Sequence, residues 1–262
     1  MANILYNNEV LQNKVKDFLD TKLDMSQFYT HDDSLTENAG MKKVINVYDA
    51  TDGAVQDLVQ GEGNTTQVEV SFTPQEYTVS TVQGRLPLFD EEIMKDPMSL
   101  DTGLAKLSAD MVNNVNGKFI AELGKATLTA TYPSAGIDFN SIVDALALVG
   151  EDDTNYNLLI NPAQRASLRK NLKDTLQYVE DFARVGYIGS VSGVNVYTSD
   201  SVPADTAFLF NVEAVTVFTK KDVEVEIERD ANTRKNTFYS RLVNLVALTD
   251  SGKVVKLTKA IA

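Results

Sequence analysis

Asp222, Glu224, Glu226 and Glu228 alternate with Val223, Val225 and Ile227, the period-two pattern of a half-buried strand with one acidic and one apolar face. Turn-prone Asp230, Asn232 and Asn236 follow, and residues 237–248 then run through Phe238, Tyr239, Leu242, Val243, Leu245 and Val246. A long hairpin is predicted. Asp250, Ser251 and Gly252 make a tighter turn, and Val254, Val255 and Leu257 a closing strand. Far upstream, residues 43–86 also read as extended chain. Val44, Val47 and Tyr48 begin it, Gly61 to Asn64 form a turn, and Val68, Val70 and Phe72 alternate with Gln67, Glu69 and Ser71. Tyr77 and Val79 continue the alternation beyond Pro74. This segment has too little apolar surface to fold alone, so it is predicted to pack on a neighbour.

Helical spacing appears elsewhere. Leu11, Val15, Phe18, Leu19 and Leu23 predict an amphipathic helix over 9–23, whereas residues 25–40 are polar and patternless, and are predicted to be mobile in a free monomer. Asp96 and Pro97 open a helix whose stripe is Leu100, Leu104, Leu107, Met111, Val115, Phe119 and Leu123. About 26 residues at ~1.5 Å each give roughly 39 Å. A second helix is predicted over 139–149, a strand over 156–160, and a third helix from the Asn161-Pro162 cap to about Leu172. Gly186, Gly189 and Gly193 separate short strands, one of them over 194–197. The fold class is α+β.

The run AFLFNVEAVTVFTKKDVEVEIERDANTRKNTFYSRLVNLVALTDSGKVVKLTKA (207–260), preceded by GYIGSVSGVNVYTSDSVP (186–203), resembles the C-terminal half of tailed-bacteriophage major capsid proteins of the Hong Kong 97 type. The order of elements carries the resemblance over most of the chain. It implies an N-terminal arm (1–42), an extended hairpin loop (43–86), a peripheral domain with a long spine helix (87–135), an axial domain (136–221) and a return to the peripheral domain with the C-terminal hairpin and closing strand (222–262). It also implies self-assembly into hexamers and pentamers of an icosahedral shell around phage DNA. Val68, Val70, Phe72, Tyr77 and Arg85 are then candidate interface residues on the loop. Arg165, Arg169 and Lys173 recur every four residues and would line one helix face. They suit an acidic neighbour, and residues 44–85 carry six carboxylates against one basic residue, Arg85.

Composition narrows the rivals. A 262-residue chain with 43% hydrophobic content can bury a sizeable core. It has no cysteine for disulfides or thiolate metal sites. The N-terminus lacks a secretory pattern and no run approaches a membrane span, so synthesis in the host cytoplasm and no membrane partner are expected; the resemblance implies assembly there and a final place in the virion. A net charge of −13 disfavours tight nucleic-acid binding, leaving non-specific contact with packaged DNA. The lone histidine, His31, stands beside Asp32, Asp33 and Ser34, but adjacent residues cannot form a triad and a solvated loop is expected. The carboxylates at 90–92, 151–153 and 222–228 have no calcium-loop spacing and read as solvated faces. No cofactor and no enzymatic activity are expected. A compartment shell of the encapsulin type is the first alternative and a carboxylate-dependent hydrolase the second. Further expected partners are a separate scaffolding protein, because the chain begins without the long helical prodomain of some relatives, together with a portal protein and a decoration protein.

Some relatives weld their shells through a loop lysine. Here no lysine lies between Lys43 and Lys95, and Arg85 stays protonated and cannot serve as the nucleophile. Purified particles boiled in detergent should therefore run as single chains of 28.8 kDa. A ladder of covalent oligomers mapping to Lys42, Lys43 or Lys95 would contradict this.

Overall fold

The computed structural model describes residues 25–37, 39–50, 55–150, 155–176 and 189–260, without the side chains of 47–50 and 173–176. The helix predicted over 9–23 lies outside these residues. Twelve strands form three sheets among the described residues. One has four strands in the order β1 (Thr30–Asp32), β10 (Val215–Asp230), β11 (Lys235–Leu248), β4 (Ser80–Phe89). A second has six, in the order β5 (Leu128–Tyr132), β12 (Val254–Lys259), β9 (Thr206–Phe210), β6 (Asn157–Ile160), β8 (Val194–Thr198), β7 (Ser190–Val191). The third is a two-stranded hairpin of β2 (Lys42–Ala50) and β3 (Val70–Thr78). Helices α1 (Asp90–Lys95), α2 (Met98–Leu123), α3 (Phe139–Ala147) and α4 (Pro162–Leu176) complete this α+β fold.

The six-stranded sheet is buried on both faces at its centre, which is why its strands read as unbroken apolar runs. In β6 and β9, Leu159, Phe208 and Phe210 face one core with the C-terminal part of α2, while Leu158, Ile160 and Leu209 face another with α3 and α4. Alternation along each strand therefore divides its side chains between two cores. Asp138 caps α3 by accepting the Ser141 backbone N–H at 2.9 Å. Gln164 on α4, 3% exposed, donates to the Tyr132 hydroxyl at 2.9 Å and to the carbonyls of Ala204 and Thr206. One buried amide thus ties a helix to strand β5 and to the start of β9.

Helix α2 runs over the 26 residues Met98–Leu123, as its spacing predicts, and crosses the four-stranded sheet at close range. A Cβ on Gly84 would fall 2.2 Å from Leu107 Cδ1, and one on Gly103 would fall 2.6 Å from Leu86 Cδ2. Two glycines let helix and strand approach, which offsets the cost of roughly 1 kcal/mol of a glycine inside a helix. The C-terminal half of α2 is buried at Met111, Val115, Phe119, Ile120 and Leu123.

Two expectations are corrected. The stretch after residue 24 is not patternless arm throughout: Met25, Phe28, Tyr29 and Leu35 are buried, and β1 pairs in parallel with β10 from Thr30 opposite Thr216 to Asp32 opposite Phe218. Its apolar positions are irregularly spaced, so no period marks them. The acidic-apolar strand within β10 is not half-buried either. Val223, Val225 and Ile227 are 55%, 56% and 65% exposed, because β11 and β4 occupy the surface beneath α2 and β10 lies outside it at the edge.

The closing strand β12 lies inside the six-stranded sheet, parallel to β5 and antiparallel to β9. Truncation after Leu245 removes this strand with buried Val254, Val255 and Leu257, leaving β5 and β9 without their shared neighbour. The truncated chain should be insoluble or lack a cooperative thermal transition. A soluble, cooperatively unfolding product would contradict this placement.

Candidate functional site

The β2–β3 hairpin pairs in antiparallel register from Lys42 opposite Thr78 to Ala50 opposite Val70. Its root is anchored. Lys43 places its ammonium 3.6 Å from the centre of the Phe218 ring and donates to Ser34 Oγ at 2.9 Å, Lys42 pairs with Glu76, and Ile45 and Tyr77 pack on a buried cluster with Val79, Phe218 and Leu245. Beyond the root the support ends. Val44, Val68, Val70 and Phe72 are 56%, 58%, 62% and 61% exposed, and Val55, Leu58 and Val59 near the tip are exposed as well. A two-stranded ribbon has no second layer to cover such a stripe.

Strand β3 hands over to β4 at Val79, which is 4% exposed and donates its N–H to the Met41 carbonyl at 2.8 Å. Here Lys118 of α2 reaches the sheet, donating to Ser80 Oγ at 2.6 Å and to Asn244 Oδ1 at 2.9 Å. Ser80 Oγ in turn donates to the Asn244 carbonyl at 3.1 Å. Burial of the amine lowers the Lys118 pKa, since taking a charge out of water favours its neutral form. Lys118 lines a cleft of about 350 Å³ with Tyr77, Glu122 and Lys125. Burial raises the Tyr77 pKa, with the Glu122 charge adding to the effect. A polar clasp therefore fixes the hairpin root to the long helix and to β11. Sequence reasoning missed it, although the spacing held a signal: Lys118 follows Leu107 by eleven residues and Met111 by seven, which puts a lysine on the apolar face of α2.

The remaining candidates fall in separate places. Val68, Val70 and Phe72 lie on the exposed stripe, whereas the Tyr77 hydroxyl donates to the Leu248 carbonyl at 3.2 Å and so holds to its own subunit. Arg85 is on β4 opposite Tyr239, its guanidinium 5.9 Å from the ring centre, on the sheet face away from α2. Arg165 and Arg169 are half-buried one turn apart on α4. Lys173 continues that helix, its side chain outside the described residues. The structure brings the loop candidates and the helix cations onto different surfaces, not into one site.

His31 is exposed on β1, not in a loop, with its ring 4.9 Å from that of Tyr29. Glu224 pairs with Lys221 at 2.5 Å and faces Arg241 in register. Arg229 pairs with Asp90 at 2.9 Å, and the Tyr239 hydroxyl donates to Glu228 at 3.0 Å. Among the described residues no group of three or more histidine or acidic side chains could hold a metal ion, and no helix is long and apolar enough to cross a membrane.

The two larger sheets meet in one apolar cluster, and the β2–β3 hairpin carries an exposed apolar stripe beyond its anchored root. The chain matches the phage capsid protein family over residues 73–257, and it belongs to that family. A major capsid protein of Staphylococcus phage phiMR11 is 25% identical over 262 residues, covering 96% of this chain and 92% of the relative. Among solved structures, that of Gordonia phage Cozz matches with a TM-score of 0.71 at 13% identity, over 92% of this chain and 88% of that one. A virus-like particle from Pyrococcus furiosus matches with a TM-score of 0.61 at 13% identity, over 95% and 98% of the two chains. The fold is the Hong Kong 97-type capsid fold, and the protein is a structural component of a phage capsid shell, assembled from many copies of itself and located in the virion.

Replacing Lys118 by Met leaves Asn244 Oδ1 without this donor and should cost about 1–2 kcal/mol at neutral pH, measured by urea unfolding. The folded-state pKa is depressed below the ordinary 10.5, so the native chain binds fewer protons between the two values and its stability gains as pH rises through that window. The gap between wild type and Lys118→Met should accordingly widen toward that upper value. An unchanged or shrinking gap would show that the amine is not desolvated.

Proposed function

We propose that the exposed hairpin stripe is the principal contact between neighbouring copies of the shell. The observation that carries this is the exposure of Val44, Val68, Val70 and Phe72 by 56–62% along one face of the hairpin. Seated on a neighbour, those side chains would leave water together, and each such interface adds a modest contribution that the closed shell repeats many times. Arg85 would contribute from the adjoining strand, and Tyr77 by holding the hairpin root in place. The cations Arg165, Arg169 and Lys173 of α4 would face the acidic hairpin of an adjacent copy, where opposite charges steer and register the contact.

In this reading the four-stranded sheet with α2 forms the core of the peripheral lobe. The six-stranded sheet with α3 and α4 forms the axial lobe that closes hexamers and pentamers. Assembly would take place in the host cytoplasm with a separate scaffolding protein and a portal, with a decoration protein added to the shell. The protein would act by association and not by catalysis. The dispersal of its carboxylates along a sheet face, paired locally with Lys221, Arg229 and Tyr239, supports that over a hydrolase. A compartment shell of the same fold is less favoured, because the family match and the 25%-identical relative are both phage capsid proteins.

Deleting residues 59–66 at the hairpin tip tests this reading. The variant should keep the thermal transition of the full chain, since the tip contributes nothing to the core, while sedimentation shows loss of shells. A variant that assembles as well as wild type would rule out the tip as a contact, and one that no longer unfolds cooperatively would place it in the subunit core.

A further inference from the structure

The outer edge of β10 is the other unfinished surface. Strand β1 covers it only at Thr216, Val217 and Phe218, so that among the described residues the edge from Thr219 to Asp230 has no strand beside it. Two register shifts, between Thr219 and Lys221 and between Lys221 and Glu224, separate the covered part from the open part, as bulges do where a strand is re-aimed. Beyond them the two rows differ. Val225 and Ile227 stand in register with Ser240 and Phe238, on the face covered further in by α2, where the Ser240 hydroxyl meets Met111 Sδ. Glu224, Glu226 and Glu228 form the opposite row.

A cavity of about 560 Å³ lies at the lower end of this edge, where β1 leaves β10. Val115 and Leu242 give it an apolar floor, while Asp33, Asp222 and His31 stand at its wall. Cavity and apolar row lie on the same face, so together they form one groove with α2 as a wall.

The rows dictate what fits. A strand added to an edge places its side chains directly opposite those of the edge strand, where apolar pairs and opposite charges stabilise and like charges repel. The stripe on this chain's own hairpin carries Glu69 between Val68 and Val70, which would set a carboxylate against the glutamate row. We infer that the open edge of β10 is a docking site for an extended segment of a separate protein in which apolar and basic residues alternate. Its apolar side chains lie on Val225 and Ile227, and its basic ones face Glu226 and Glu228, Glu224 being held by Lys221 of its own strand. A terminal lysine or arginine enters the cavity, its aliphatic stem on Val115 and Leu242 and its charge beside Asp33 and Asp222. This site goes beyond the copy-to-copy contacts proposed above and does not depend on the hairpin contact.

Hydrogen exchange on the full chain tests the site with three ten-residue peptides: alternating Val and Lys, alternating Val and Glu, and a block peptide of five Val followed by five Lys. The Val-Lys peptide should protect amides within Asp222 to Asp230, and Ile227→Lys should weaken its binding about tenfold. The Val-Glu and block peptides should give no protection there. Equal protection by the block peptide would reduce the effect to net charge and overturn the inference. So would absence of protection, or protection of the same amides in particles made from this chain alone, which would mean that a second copy occupies the edge.

Discussion

Four aromatic rings hold this subunit together. Phe119 of the long helix and Phe210 of the six-stranded sheet are both fully buried, with centroids 5.6 Å apart. Phe28, from the segment ahead of β1, meets Phe210 edge-on at 5.8 Å and Tyr197 of β8 at 4.6 Å. Edge-to-face pairs of this kind contribute beyond their buried area. Helix, both sheets and the N-terminal segment converge here, because the same cluster includes Val215, Val217 and Val246 of the four-stranded sheet. Through this contact the long helix ties the two larger sheets to each other.

The fold divides its apolar residues unequally. Strands β6 and β9 are buried on both faces, whereas the outer hairpin and the distal half of β10 carry apolar rows that stay exposed among the described residues. A free subunit that exposes such rows would be driven to associate. The clasp at Lys118 matters for the same reason. On the proposed reading the hairpin must hold its direction to meet a neighbour, and the clasp links its root to the helix that also enters the aromatic core.

Much of this was legible in the sequence. The α2 stripe and the Asp96-Pro97 start placed the long helix, and the run over 156–160 gave a strand, whose burial on both faces only the structure shows. The alternation over 222–228 correctly gave a strand but not its surroundings. Alternation reports that one row suits an apolar partner and not whether that partner is in the same chain, so Val223, Val225 and Ile227 were expected to be covered and are not. Met25, Phe28, Tyr29 and Leu35 escaped because their partners, Phe119, Phe210 and Phe218 among them, lie far away in the chain and impose no local period. The Lys118 clasp was missed for another reason: a lysine on a helix is ordinarily solvated, so one on the face of Leu107 and Met111 was passed over, and only the tertiary fold brings Ser80 and Asn244 beneath it. Among the proposed interface residues the sequence grouped what the fold separates, since Tyr77 turns inward to Leu248 while Val68, Val70 and Phe72 turn outward.

If the hairpin is the contact between copies, its apolar stripe is open in the free subunit and closed in the shell. Hydroxyl-radical footprinting of Phe72, read against buried Phe119 as an internal reference, tests it most directly in free subunits and in intact particles. Phe72 should be reactive in the free chain and lose most of that reactivity in particles, with Phe119 protected in both. Equal reactivity of Phe72 in the two states would contradict it.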